Sequence, residues 1–235
     1  MSDIYDLYGT KFGKELLRRY PSLPRGEEGR TLLMSVADAL LELGGEKPGA
    51  YKNLSFLGSG AYAYVYWFKG NRSKVLKLTS DEDDAKACQI LVKKPDKALL
   101  KVYAVRELVP HSLWAIITEK LTPLSSSEDR MWEEAHGAWE TLGLSLRHIG
   151  LDKMFMGDLE EAMEDAERAG HGEWNRAIER VLPTLEVWMK KLTERGIIWR
   201  DLHRGNILMR GRVPIISDLG LSFVPRSGAI PILDV

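Results

Sequence analysis

The sequence has one cysteine, Cys88, in 235 residues. A single thiol closes no internal disulfide and builds no cysteine-based zinc cluster, and it suits a reducing cytosol. Long hydrophobic runs are missing as well. The longest, such as LWAII at 113–117, suit buried strands and fall far short of the ~20 apolar residues of a membrane-spanning helix. Charge of one sign is also lacking, with 33 Lys and Arg against 34 Asp and Glu and a net charge of -1. That balance offers no strongly basic face for nucleic acid. The N-terminal MSDIYDLYG is acidic and has no basic-then-apolar leader pattern. No internal repeat and no low-complexity tract occurs. These absences lead us to expect a cytoplasmic chain with neither a membrane nor a nucleic acid as partner. What is present, 44% hydrophobic and 29% charged residues, is ordinary globular composition. The length allows one sizeable domain or two small lobes.

Three regions differ in pattern. Residues 1–50 read as a helical extension, because RTLLMSVADALLELGG places Leu32, Leu33, Val36, Leu40 and Leu43 at helical spacing before Gly44 and Gly45. Residues 51–121 read as a small lobe. LSFLGSGAYAYVYWFKG and SKVLKLT give three strands, with Gly70-Asn71 as a turn. DEDDAKACQILVKK gives a helix whose acidic first turn suits the helix dipole. ALLKVYAVRELV and HSLWAIITEKL give two more strands around Val109-Pro110-His111. Residues 122–235 read as mostly helical. Ile178, Leu182, Leu185, Trp188, Met189 and Leu192 follow Trp174 at intervals of three and four. Pro183 is expected to kink or divide that stretch. Two short strands follow.

Three short stretches carry chemistry. LGSGAYAYVY at 57–66 holds Gly58 and Gly60, where the backbone can approach a ligand and leave N–H groups to point at phosphate oxygens. An ordinary hairpin turn has the same composition. VLKL puts Lys77 between apolar neighbours in a strand. A lysine turned inward needs an anionic partner, and the pattern equally permits one facing solvent. IIWRDLHRGNILM and the SDLG after it bring Asp201, Asn206 and Asp218 into one short region. A loop carboxylate can take a proton from an attacking hydroxyl, and a carboxamide oxygen with a second carboxylate suits Mg²⁺. Phosphoryl transfer asks mainly for positioning and charge neutralisation. The alternative is a polar turn between strands. The order of the D-x-x-x-x-N and D-x-G elements, downstream of the other two stretches, argues against it. His111, His136, His148 and His171 show no metal-ligand spacing.

In this order the stretches resemble the protein-kinase-like fold over residues 54–224, most closely at 200–220. The resemblance implies an α+β, two-lobed chain, with a small antiparallel β lobe plus helix and a minimal, mostly helical large lobe. It implies ATP and Mg²⁺ as cofactors. Gly58, Ser59, Gly60 and Val65 would cover the phosphates and Lys77 would contact them. The acid paired with Lys77 would be Glu82, Asp83 or Asp84; Asp84 is favoured, because Ala85, Cys88 and Leu91 define the inward face. Thr118 would guard the back of the adenine pocket, where Glu119 and Leu121 present backbone groups. Asp201 would be the catalytic base, with Asn206 and Asp218 as metal ligands. His203 or Arg204 would neutralise the γ-phosphate.

There are departures. Trp199 stands where protein kinases usually carry His. D-L-H-x-G-N-I-L is closer to aminoglycoside and choline kinases, while Arg200 leans the other way. Leu219 replaces a Phe. Only LSFVPRSGAIPILDV follows Gly220, so a truncated large lobe is expected, with Ser222 and Ser227 as candidate phosphosites. The leading expectation is a serine/threonine protein kinase acting on a protein substrate. The alternatives are a small-molecule kinase of aminoglycoside or choline kinase type, and a pseudokinase that acts as a nucleotide-binding interaction module.

Overall fold

The computed structural model describes residues 54–68, 73–141, 163–199, 201 and 203–220, together with Arg18, Glu161 and Ser222. The expected N-terminal helix, the Gly70-Asn71 turn, Arg200, Ser227 and the C-terminal stretch lie outside the described residues. The chain has the α+β class, and its described residues divide into two compact units. One contains 54–92 and 101–120; the other contains 93–100 and the residues from 121 onward.

The first unit is a five-stranded antiparallel sheet in the order β1-β2-β3-β5-β4 with one helix. Its strands are β1 (Leu54–Ser59), β2 (Ala63–Phe68), β3 (Lys74–Thr79), β4 (Val102–Val109) and β5 (Leu113–Glu119). The helix, α1 (Glu82–Lys93), begins after β3. Asp81 starts it: its Oδ1 accepts from the N–H groups of Asp83 and Asp84 at 2.9 and 3.2 Å, which caps otherwise unpaired helix donors. The three acidic residues of the first turn favour the positive end of the helix dipole. Strands β3 and β5 sit inside the sheet and are buried almost throughout. Leu76, Leu78, Ala115, Ile116 and Ile117 form the centre of the core.

The second unit has α2 (Ser126–Thr141) and α3 (Gly172–Thr193), then a 3-10 turn at Arg204–Asn206 and the hairpin β6 (Ile207–Arg210) and β7 (Val213–Ile216). Trp132 of α2 stacks on Trp188 of α3, with ring centroids 5.6 Å apart and planes 10° from parallel. Ile178, Val181, Leu185, Met189 and Leu192 bury the same stripe of α3. Pro183 does not divide the helix, which is one element from Gly172 to Thr193. Pro183 and Glu179 are both exposed, so the carbonyl that Pro183 leaves unpaired can meet water. Arg195 binds the 93–100 segment: Nε donates to the Lys94 carbonyl at 2.8 Å and Nη2 meets Asp96 at 3.0 Å. Arg210 donates to the carbonyls of Lys97 and Leu99. Among the described residues no helix is long and apolar enough to cross a membrane.

Candidate functional site

Lys77 faces inward. It lies mid-way along β3, opposite Val65 of β2 and Ile116 of β5. Its Nζ is 2.8 Å from Asp84 Oδ2, and the two residues are 7% and 1% exposed. Of the three acids in the first turn of α1, the structure buries only Asp84. Asp84 stands four positions before Cys88, one helical turn, and the Cys88 thiol donates to Asp84 Oδ1 at 3.7 Å. A buried lysine is tolerable because that carboxylate meets it.

Strand β1 is paired with β2 through Gly58↔Val65 and Ser59↔Tyr64. Gly60 donates its N–H to the Ala63 carbonyl at 2.9 Å, closing the hairpin around Ala61 and Tyr62. The N–H of Gly60 is therefore engaged in the turn, contrary to the expectation that the glycines leave their N–H groups for phosphate. Ser80 fixes the same turn, its N–H reaching the Tyr62 carbonyl at 2.9 Å. A Cβ added at Gly58 or Gly60 would meet no atom within 4 Å, so packing does not demand glycine at either position.

Thr118 is buried at the end of β5, paired with Val75 and Val102. Glu119 is occupied by Lys101: its Oε1 accepts from the Lys101 N–H at 2.7 Å, and its own N–H donates to the Lys101 carbonyl at 3.0 Å. Leu121 belongs to the second unit, is half-buried and precedes Thr122, which bridges to Met209.

In the second unit Asn206 donates through Nδ2 to both the carbonyl and Oδ2 of Asp201, at 2.8 and 2.9 Å. The backbone carbonyl of Asn206 accepts from Ser217 N and Oγ at 2.8 and 3.0 Å. Asn206, only 6% exposed, is thus held at its carboxamide by Asp201 and at its backbone carbonyl by Ser217. His203 caps the 3-10 turn, with Nδ1 accepting from Gly205 N–H at 3.1 Å and Nε2 3.6 Å from Asp201 Oδ2. A Cβ at Gly205 would come within 2.8 Å of the His203 ring. Glycine is thus required for this cap. Asp218 Oδ1 accepts from Gly220 N–H at 2.8 Å. Trp199, 2% exposed, donates its indole N–H to the Asp218 carbonyl at 3.2 Å. Arg204 turns to α2, where Nη1 lies 3.0 Å from Asp129 and 2.9 Å from Glu133. Ser222 is buried, so it is not a reachable phosphosite in this state.

The donor set can take magnesium. Asn206 uses its nitrogen on Asp201, which leaves oxygen as the carboxamide's ligating atom, and Asp218 adds carboxylate oxygen. No group of three or more His, Cys, Asp or Glu that could cage a metal occurs among the described residues. Mg²⁺ is usually held by one or two carboxylates and completed by waters and substrate phosphates. Sequence reasoning missed Gly205, Ser217, Asp129 and Glu133. Only the last two carried a signal, an i,i+4 spacing that puts both carboxylates on one face of a helix.

No protein-family model and no curated protein matches the chain. Among solved structures, the Cydia pomonella granulovirus kinase PK-1 aligns with a TM-score of 0.43 and 13% identity, over 81% of this chain and 59% of its own. Rad53 1–466 in complex with AMP-PNP aligns with a TM-score of 0.40 and 16% identity, over 86% of this chain and 44% of its own. The chain thus matches less than two thirds of either. Likenesses of this size carry no weight beside the side-chain geometry.

Proposed function

We propose that the chain is an ATP- and Mg²⁺-dependent kinase that transfers the γ-phosphate to a Ser or Thr hydroxyl of a protein, in the cytoplasm. One observation carries the reading: Asn206 clasps Asp201 through both its carbonyl and its carboxylate. A polar turn has no need of that pair of hydrogen bonds. A catalytic loop does, because a proton acceptor works only when held within hydrogen-bond reach of its donor. Lys77 supports the reading. A lysine that only solubilises a sheet edge has no reason to be buried against a carboxylate.

Asp201 accepts the proton of the attacking hydroxyl. Asn206 and Asp218 hold magnesium, which supplies charge neutralisation at the phosphates. Lys77, fixed by Asp84, contacts the α- and β-phosphates. His203, with Nε2 3.6 Å from Asp201 Oδ2, is the residue we assign to the transferred phosphoryl group. The protein acceptor follows from the kinase resemblance alone.

The test is intact-mass spectrometry after incubation with Mg-ATP, with Asp201→Asn in parallel. Phosphoryl adducts are expected on the wild-type chain and are expected to fall by about a hundredfold or more in the variant. Adducts that survive in Asp201→Asn would remove Asp201 from its role. A wild-type chain that neither gains phosphate nor binds Mg-ATP would overturn the reading.

A further inference from the structure

The kinase resemblance gives Arg204 a phosphate to neutralise, but the structure gives it two carboxylates. We propose that Arg204 is a positioning residue: it ties the loop at 203–206 to α2 through Asp129 and Glu133 and so holds Asn206 against Asp201. The effect on rate rests on the phosphotransferase reading; the tie itself does not.

The loop has little rigidity of its own. Arg204–Asn206 is one turn of 3-10 helix, and such short turns have poor hydrogen-bond geometry and depend on their surroundings. Ser217 grips the loop from the hairpin side at the Asn206 carbonyl. Arg204 grips it from the other side, donating from Nη1 to Asp129 Oδ2 at 3.0 Å and Glu133 Oε2 at 2.9 Å. The carboxylates are four residues apart and share a helix face. Between them Trp132 is buried and stacked on Trp188, so they stand on a packed element. With two negative charges already at its guanidinium, Arg204 is poorly placed to attract phosphate. The three side chains are 45%, 45% and 61% exposed, and exposed ion pairs add little to folding stability. What the tie restricts is the position of a short 3-10 turn.

The two roles predict opposite results for the carboxylates. If Arg204 positions the loop, Arg204→Gln and the double variant Asp129→Asn with Glu133→Gln should behave alike. Each should speed hydrogen exchange at the Asn206 and Ile207 amides by about threefold to tenfold. Each should lower kcat by a similar factor and leave KM for ATP unchanged. A reversed tie, Arg204→Glu with Asp129→Lys and Glu133→Lys, should restore both readouts. If Arg204 contacts phosphate, neutralising the carboxylates should leave or raise the rate, and the reversed tie should stay inactive; that pattern overturns the proposal. Wild-type exchange in both Arg204→Gln and the carboxylate variant also overturns it, whatever the rates. Exchange needs no turnover, so a chain without transfer activity would refute the kinase reading while the exchange rates still decide the tie. A thermal midpoint within a few degrees of wild type confirms that each variant is folded.

Discussion

Trp199 donates its indole N–H to the backbone carbonyl of Asp218 at 3.2 Å, from a position 2% exposed to solvent. Trp199 lies two residues before Asp201, so the segment leading to the proposed proton acceptor also holds the residue proposed to bind magnesium. Indole does not titrate, so this bond is the same at every working pH. Trp199→Phe keeps much of the apolar bulk and removes the donor. Losing a hydrogen bond to a half-buried carbonyl costs about 0.5–1.5 kcal/mol, and the urea midpoint should fall accordingly. The Mg²⁺ concentration needed for half-maximal nucleotide binding should rise as well. A drop in stability with unchanged Mg²⁺ dependence would make Trp199 a packing residue only.

Lys77 and Asp84 form a pair that is expensive to break singly and much less so to replace whole. Asp84→Asn leaves a buried ammonium without a counter-charge, at about 3–5 kcal/mol. Lys77→Met removes the cation beside the buried carboxylate and destabilises in the same sense. The double variant Lys77→Met with Asp84→Leu should recover much of that stability, because well-packed apolar side chains can replace a buried ion pair. Nucleotide affinity should stay low in all three. Urea unfolding and an ATP titration separate the two effects. Additive losses of stability would mean that the pair is not coupled, and wild-type ATP affinity in the double variant would remove Lys77 from the nucleotide site.

The same pair shows what the sequence could resolve. Alternation along VLKL leaves two faces open for Lys77; the structure buries both faces of β3, and Lys77 lies on the one that meets Asp84 of α1. On α1 the helical period does the work locally: with Ala85, Cys88 and Leu91 inward, Asp84 is the acid on the buried side. Residue types and spacing put Asp201 and Asn206 in one short loop, and the structure joins the two by hydrogen bonds; the catalytic role of that loop is our proposal. Arg204 was not legible in this way. Its partners are 75 and 71 residues earlier in the chain, and no local pattern says which way a loop arginine turns. Gly60 misled for a related reason. A glycine pattern reports backbone freedom, not whether the N–H already has a partner, and the hairpin had claimed it. Of the two expectations for Pro183, division fails, because burial along the rest of a 22-residue helix outweighs one missing hydrogen bond at its exposed side.

Gly58 and Gly60 offer a clean separation of packing from binding. Open space surrounds the place where a Cβ would sit on either. Gly58→Ala and Gly60→Ala should therefore unfold within about 1 kcal/mol of wild type, since alanine also reduces the freedom of the unfolded chain. If the turn covers phosphates, the added methyl meets the ligand instead, and ATP affinity should fall by about tenfold. Paired melting and nucleotide-titration curves test this. Unchanged affinity in both variants would show that the hairpin is only a turn.

Asp96 gives the second unit an acid-sensitive fastening. Its carboxyl is held below the ordinary 3.8, first by the Ala98 N–H, then by Arg195. Burial opposes both and does not overcome them. Because the folded value is the lower one, the unfolded chain takes up the proton more readily. The stabilisation is therefore complete above pH 3.8 and is lost as pH falls from there through the lowered folded value. Asp96→Asn should flatten that part of the pH–stability curve while leaving the slope at higher pH unchanged. Arg195→Leu should flatten it less, because the Ala98 N–H remains. Chemical denaturation at several pH values between about 2.5 and 6 tests this, and a wild-type slope in Asp96→Asn would assign the acid sensitivity to other carboxylates.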